Sequence, residues 1–173
     1  FTSAYGADAE AAMGISYKIY MVPMQVSMGF SQGIMPLVSY NFASGDRKRM
    51  KASLLFAIKL VVPALAVVSV LYYIGSGELI SLFMKNESII AYGSRFLRGF
   101  SLGLAFLSLD FLTVGVFQSL GFGKYALLFA VMRKLVLEIP ALLILNAIFP
   151  LYGLAYAQFT AELILGVCAI LML

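Results

Sequence analysis

Residues 96–118 read FLRGFSLGLAFLSLDFLTVGVFQ, an apolar run with a single carboxylate, Asp110, in its interior. A bilayer core of about 30 Å is crossed by about 20 helical residues, so a run of this length reads as a membrane span. Asp110 lies about fourteen residues into it and about ten before the next turn, too deep for its side chain to reach water easily. A carboxylate at that depth costs several kcal/mol and is expected to face a bundle interior or a wet cavity. At about 100° per residue, Gly99, Gly103, Thr113 and Phe117 share its face, and Leu104, Leu109, Leu112 and Val116 point elsewhere. Two readings follow. Asp110 is a cation or proton site, because a carboxyl withdrawn from water is relieved by taking up either; or it is structural, satisfied by a neighbouring hydroxyl or amide.

Outward from this stretch, the composition agrees with a membrane protein. Of the 173 residues, 62% are hydrophobic and 12% charged, against about a quarter charged in soluble domains. Mean hydropathy is +0.99. There is no His, and Cys168 is the one cysteine, which leaves zinc, haem and Cys/His nucleophile sites without enough ligands and rules out an internal disulfide. The net charge of +4 sits in short segments between apolar runs, which points to membrane topology and away from nucleic acid.

Five spans are expected, at roughly 13–40, 52–74, 96–118, 125–149 and 151–172, in an all-α bundle. The breaks are NFASGDRKRMK (41–51), GSGELISLFMKN (75–86), GFGK (121–124) and Pro150 with Gly153. The segment ELISLFM (78–84) is too short to cross and is expected to lie as an interfacial helix. Pro36, Pro63 and Pro140 are expected to bend their helices. Arg47, Lys48, Arg49 and Lys51 place the first loop in the cytoplasm, and alternation then puts the C-terminus there too. Lys18, Arg95 and Arg98 fall near the outer end, against the general bias.

The first span carries a soft face of Met21, Met24, Gln25, Met28, Gln32 and Met35, beside Pro36. Thioethers adapt to irregular partners, so this face reads either as a pocket for lipophilic compounds or as ordinary helix packing helped by Gly29 and Gly33 in GxxxG spacing. Lys134 and Glu138 are four apart and are expected to pair. Gln158 and Glu162 have the same spacing; Glu162 reads as a cavity-lining acid or as one held by a structural hydrogen bond. GFGK lacks the rest of a P-loop and no GxSxG is present, so neither ATP hydrolysis nor other enzyme chemistry is expected.

The ordered segments YGADAEAAMGIS (5–16), GFSQGIMPLVSYNFASGDRKR (29–49), ELISLFMKNESIIAYGSRFL (78–97), FQSLGFGKYALLFAVMR (117–133) and IPALLILNAIFPLYGLAYAQFTAE (139–162) resemble the C-terminal lobe of multidrug and toxic compound extrusion (MATE) transporters. The resemblance implies a twelve-helix exporter of two lobes, with these spans as helices eight to twelve and with the seventh helix and N-terminal lobe outside the sequence. It implies a bacterial inner-membrane antiporter that couples export of lipophilic, mostly cationic drugs to entry of Na⁺ or H⁺. Asp110 matches a tenth-helix aspartate that is a cation ligand in one bacterial branch, which makes it the Na⁺ candidate; its acidic partner there is on the seventh helix. The expected substrate cavity comprises Met21, Met24, Gln25, Met28, Gln32, Thr113, Phe117 and Glu162. The alternatives are a flippase for lipid-linked sugars, which should be more basic, and a membrane scaffold subunit, which would not depend on Asp110.

Overall fold

A computed structural model describes residues 5–172 as helices joined by short turns, with no strand among the described residues. They are α1 (Ala7–Ala43), α2 (Arg47–Ile74), α3 (Ser76–Ser81), α4 (Glu87–Ser101), α5 (Leu104–Ser119), α6 (Gly123–Val131), a π-helical segment (Met132–Glu138), α7 (Ile139–Ile148) and α8 (Gly153–Met172). Local chemistry sets the boundaries. Gly45 takes φ +76°, and Asp46 caps α2 by accepting from the Arg49 backbone N–H at 2.9 Å. Asn86 caps α4 in the same way through Ser88. The last turn is tight: Leu151 has φ +76°, and a Cβ on Gly153 would come within 2.5 Å of the Asn146 backbone.

By length and apolarity, α2 and α8 can each cross a bilayer. The run expected as one straight third span is instead two helices, α4 and α5, bent by 47° at Leu102–Gly103. No proline causes this break. The Ser69 hydroxyl of α2 donates to the Ser101 carbonyl at 2.5 Å, so a side chain replaces a backbone partner where α4 stops. The fourth expected span is also interrupted, by the seven-residue π segment just ahead of Pro140, which stands in the first turn of α7. Pro140 has no N–H to give to the preceding turn, and the wider helix accommodates that loss. By contrast α1 continues through Pro23 and Pro36, and α2 through Pro63. The short helix near 78–84 begins earlier, at Ser76, and ends at Ser81, leaving Leu82, Phe83 and Met84 exposed beyond it.

Helix α5 is the axis of the bundle and packs against α1, α2, α6 and α8. Leu104, Leu109, Leu112 and Val116, expected on a face turned away from Asp110, are buried as well. The helix is thus enclosed nearly all round, and Gln118 is its one exposed residue. Between α1 and its neighbours, serines substitute for apolar contact. Ser16 donates to the Gly93 carbonyl at 2.9 Å, Ser31 to Phe111 at 2.6 Å, and Ser39 to Ser119 at 2.8 Å. The outer side of α2 is largely apolar: Leu55, Phe56, Leu60, Val67, Val70 and Leu71 are all exposed, as lipid contact requires, with Lys59 the charged residue among them.

Candidate functional site

Position along α5 places Asp110 at the centre of the bundle, where its residue is 1% exposed. Neither carboxyl oxygen has a hydrogen-bond partner. Thr113, one turn on, gives its hydroxyl to the Leu109 carbonyl at 2.8 Å and none to Asp110. Among the described residues no hydroxyl or amide satisfies the acid as the structural reading would require. Beside Asp110 is a cavity of about 180 Å³, walled by Phe111 and Val114 of α5, Phe129 and Ala130 of α6, and Arg133 and Lys134 of the π segment. The Arg133 guanidinium lies over the Phe111 ring, 5.4 Å from its centroid, and its buried Nε has no partner. Among the described residues, an unpartnered carboxyl and a guanidinium with an unpartnered Nε thus line one small space.

The second buried acid is arranged differently. Glu162 of α8 is fully buried, and its Oε1 accepts from the Tyr20 hydroxyl at 2.9 Å and from Gln158 Nε2 at 3.0 Å. Gln158 also donates to Tyr20 at 2.7 Å, which closes a three-membered ring. The other oxygen, Oε2, has no partner and is directed at Gly103, where any Cβ would overlap it. The helix break therefore sits against this carboxyl, and only glycine leaves room for both.

The remaining residues singled out from sequence are dispersed. Phe117 is half-buried and packs on Tyr125 with centroids 6.0 Å apart. Met21 and Met24 are half-buried, and Gln25, Met28 and Gln32 are exposed along α1. None of these lines the Asp110 cavity. Gly29 and Gly33 have nothing within 4 Å, so the GxxxG spacing packs against no helix among the described residues. Lys134 and Glu138 do pair, at 2.7 Å. Tyr20 and Arg133 went unrecognised in the sequence. Arg133 had one signal: Lys134 pairs four residues on, and an adjacent residue points about 100° away from that partner, toward the bundle.

The family profile described as MatE matches residues 1–144. The chain belongs to this family. Among curated proteins, the MatE chain is 31% identical over 172 residues to the multidrug export protein MepA of Staphylococcus saprophyticus, which covers 99% of this chain and 38% of that protein. It is likewise 31% identical over 176 residues to MepA of Staphylococcus aureus, with the same shares. The MatE chain thus spans about 38% of the length of these relatives. Two solved MATE structures share its fold. Vibrio cholerae VcmN in the bent form superposes with a TM-score of 0.91 at 17% identity, over 98% of this chain and 39% of that one. A multidrug resistance MATE transporter in its outward-facing conformation gives 0.88 at 17%, over 96% and 38%. The expected all-helical membrane bundle and the MATE resemblance are both correct. As part of a MatE protein the chain is membrane-embedded, in a family of transporters and not of enzymes.

Proposed function

We propose that this chain is most of the C-terminal lobe of a cation-coupled multidrug exporter, with Asp110 as the group that binds the coupling ion. The observation that carries the reading is the Asp110 carboxyl: central in the bundle, buried, unpartnered and beside a cavity. Both relatives above are named multidrug export proteins, which supports lipophilic, drug-like cargo. In this reading the chain crosses the membrane five times, with its C-terminus in the cytoplasm of a bacterial cell, and an N-terminal lobe and seventh helix complete the transporter.

The chemistry follows from what Asp110 lacks. A bare carboxylate without donors in a dry bundle is costly, so the site gains by taking H⁺ or Na⁺. Arg133 supplies a positive charge on the opposite wall whenever the ion is absent. Arrival of the ion and retreat of the guanidinium are then two states of one carboxyl, and a bundle that rearranges between them couples ion entry to drug release by alternating access. The π segment that bears Arg133 suits such a rearrangement, since a wide turn returns to α geometry by a small rotation. Glu162, already holding two hydrogen bonds, is the less exchangeable acid.

Ethidium efflux from energised cells tests the assignment. Asp110→Asn in the complete transporter abolishes ion-driven efflux at matched expression and leaves the protein folded in the membrane. Wild-type efflux by that variant would remove Asp110 from the mechanism.

A further inference from the structure

A second cavity, which Asp110 does not line, lies at the end of the bundle where α2, α4 and the α7–α8 turn converge. It holds about 610 Å³, and its walls include Tyr73, Arg95, Arg98, Phe149, Tyr152 and Tyr156. We propose that it binds the anionic headgroup of a membrane phospholipid, with Arg95 and Arg98 gripping the phosphodiester.

Two observations point to an anion. Neither guanidinium meets a carboxylate; among the described residues the one ion pair is Lys134–Glu138. Arg95 has a single long bond, Nη1 to the Tyr152 hydroxyl at 3.5 Å, and Arg98 uses only Nε, toward the Tyr73 carbonyl at 3.2 Å and Ser76 Oγ at 2.9 Å. Each lies over a tyrosine ring at 5.6 Å, Arg95 on Tyr152 and Arg98 on Tyr73. Ring stacking fixes the plane of a guanidinium and leaves its outer N–H groups free, the geometry that grips phosphate in bidentate fashion.

Two more observations distinguish a lipid from free phosphate. The rest of the wall is apolar and outward-facing: Leu102, Ile148 and Phe149 are exposed, and Pro150 closes the rim. Glycerol and the first acyl carbons cover such a surface; inorganic phosphate does not. Depth agrees as well. Tyr73 is near the end of α2, whose other end carries Arg47, Lys48 and Arg49. A helix of 28 residues is about 42 Å long, close to the full thickness of a bilayer with its headgroups. With the basic cluster at one surface, Tyr73 and the two arginines are at the headgroup level of the other, where tyrosine is enriched and phosphates are found.

Native mass spectrometry of the full-length transporter, purified and delipidated in detergent, reads the site directly. Phosphatidylglycerol is added back to wild type and to R95Q/R98Q. The double variant should retain one fewer tightly bound lipid and bind phosphatidylglycerol at least tenfold more weakly, with an unchanged melting midpoint in lipid-free detergent. Should R98Q unfold the protein by releasing Tyr73 and Ser76, R95Q alone, which disturbs neither bond, should still weaken binding at least threefold. Equal retention by wild type and R95Q would overturn the proposal. So would protection by inorganic phosphate equal to that of phosphatidylglycerol, or equally tight binding of zwitterionic phosphatidylcholine.

Discussion

Two buried carboxyls on neighbouring helices, Asp110 of α5 and Glu162 of α8, differ in one respect: among the described residues Glu162 has donors and Asp110 has none. Removing a donor from Glu162 should cost stability before it costs transport. Tyr20→Phe deletes the hydroxyl that bridges α1 to Glu162 and Gln158, so a loss of about 1–3 kcal/mol is expected, as for any buried acceptor left short. The melting midpoint of the full transporter reads this, and an unchanged midpoint would mean that the bridge contributes nothing. Arg133→Gln should act in the opposite sense on Asp110. With the fixed charge gone from the cavity wall, the coupling ion meets no competitor, and the concentration giving half-maximal efflux should fall about tenfold, or about 1.4 kcal/mol. An unaltered half-maximal concentration would exclude competition. Asp110 was legible in the sequence because a charge in an apolar run is visible in one dimension. Tyr20 was not, because its partner is 142 positions away and a tyrosine in an apolar helix looks like packing. Arg133 was not, and it lines the Asp110 cavity.

Prolines mark only one of the two interruptions, the π segment that adjoins Pro140. Pro36 and Pro63 sit inside continuous helices, whereas the bend between α4 and α5 falls at Gly103, which carries no signal beyond being a glycine in an apolar run. Its cause is tertiary: the Glu162 carboxyl occupies the space of a Cβ, and Ser69 takes over the Ser101 carbonyl. Neither contact can be read from the 96–118 stretch by itself, which is why one straight helix and its projected faces were expected there. The same reasoning separates glycines that look alike in sequence. A Cβ on Gly99 would come within 2.6 Å of the Ala155 Cβ, so the α4 backbone rests against the Ala155 methyl of α8; one on Gly29 would meet nothing within 4 Å. Gly99→Val should therefore destabilise the bundle by about 1–3 kcal/mol through overpacking, measured as a drop in melting midpoint. Gly123→Val, exposed at the start of α6 with nothing within 4 Å, is the control; if it proved as damaging as Gly99→Val, the α4–α8 approach would not be the cause.

At the scale of the molecule, the bundle is one-sided in a way that its own helices do not resolve. Gln25, Met28 and Gln32 are exposed on α1, while the outer side of α2 is apolar except for Lys59. Lipid solvates the second surface well and the first poorly, because each glutamine amide needs partners that hydrocarbon lacks. The α1 face is thus the one that a facing lobe or a wet cavity would cover, and the chain's span of about 38% of its relatives leaves length for that lobe. Which way the bundle stands follows from a separate argument. Arg47, Lys48, Arg49 and Lys51 crowd the start of α2, and short loops with such excess stay in the cytoplasm. Ser44 is exposed in that loop, and Glu87 is exposed at the start of α4, near the opposite end. In a Cys168→Ser background, which removes the exposed native thiol, a cysteine at Ser44 should react with a membrane-impermeant maleimide only after the cells are permeabilised. A cysteine at Glu87 should react in intact cells. The reverse pattern would invert the bundle, carrying the Arg95–Arg98 pocket from the outer leaflet to the inner one and the basic loop at the start of α2 to the outside.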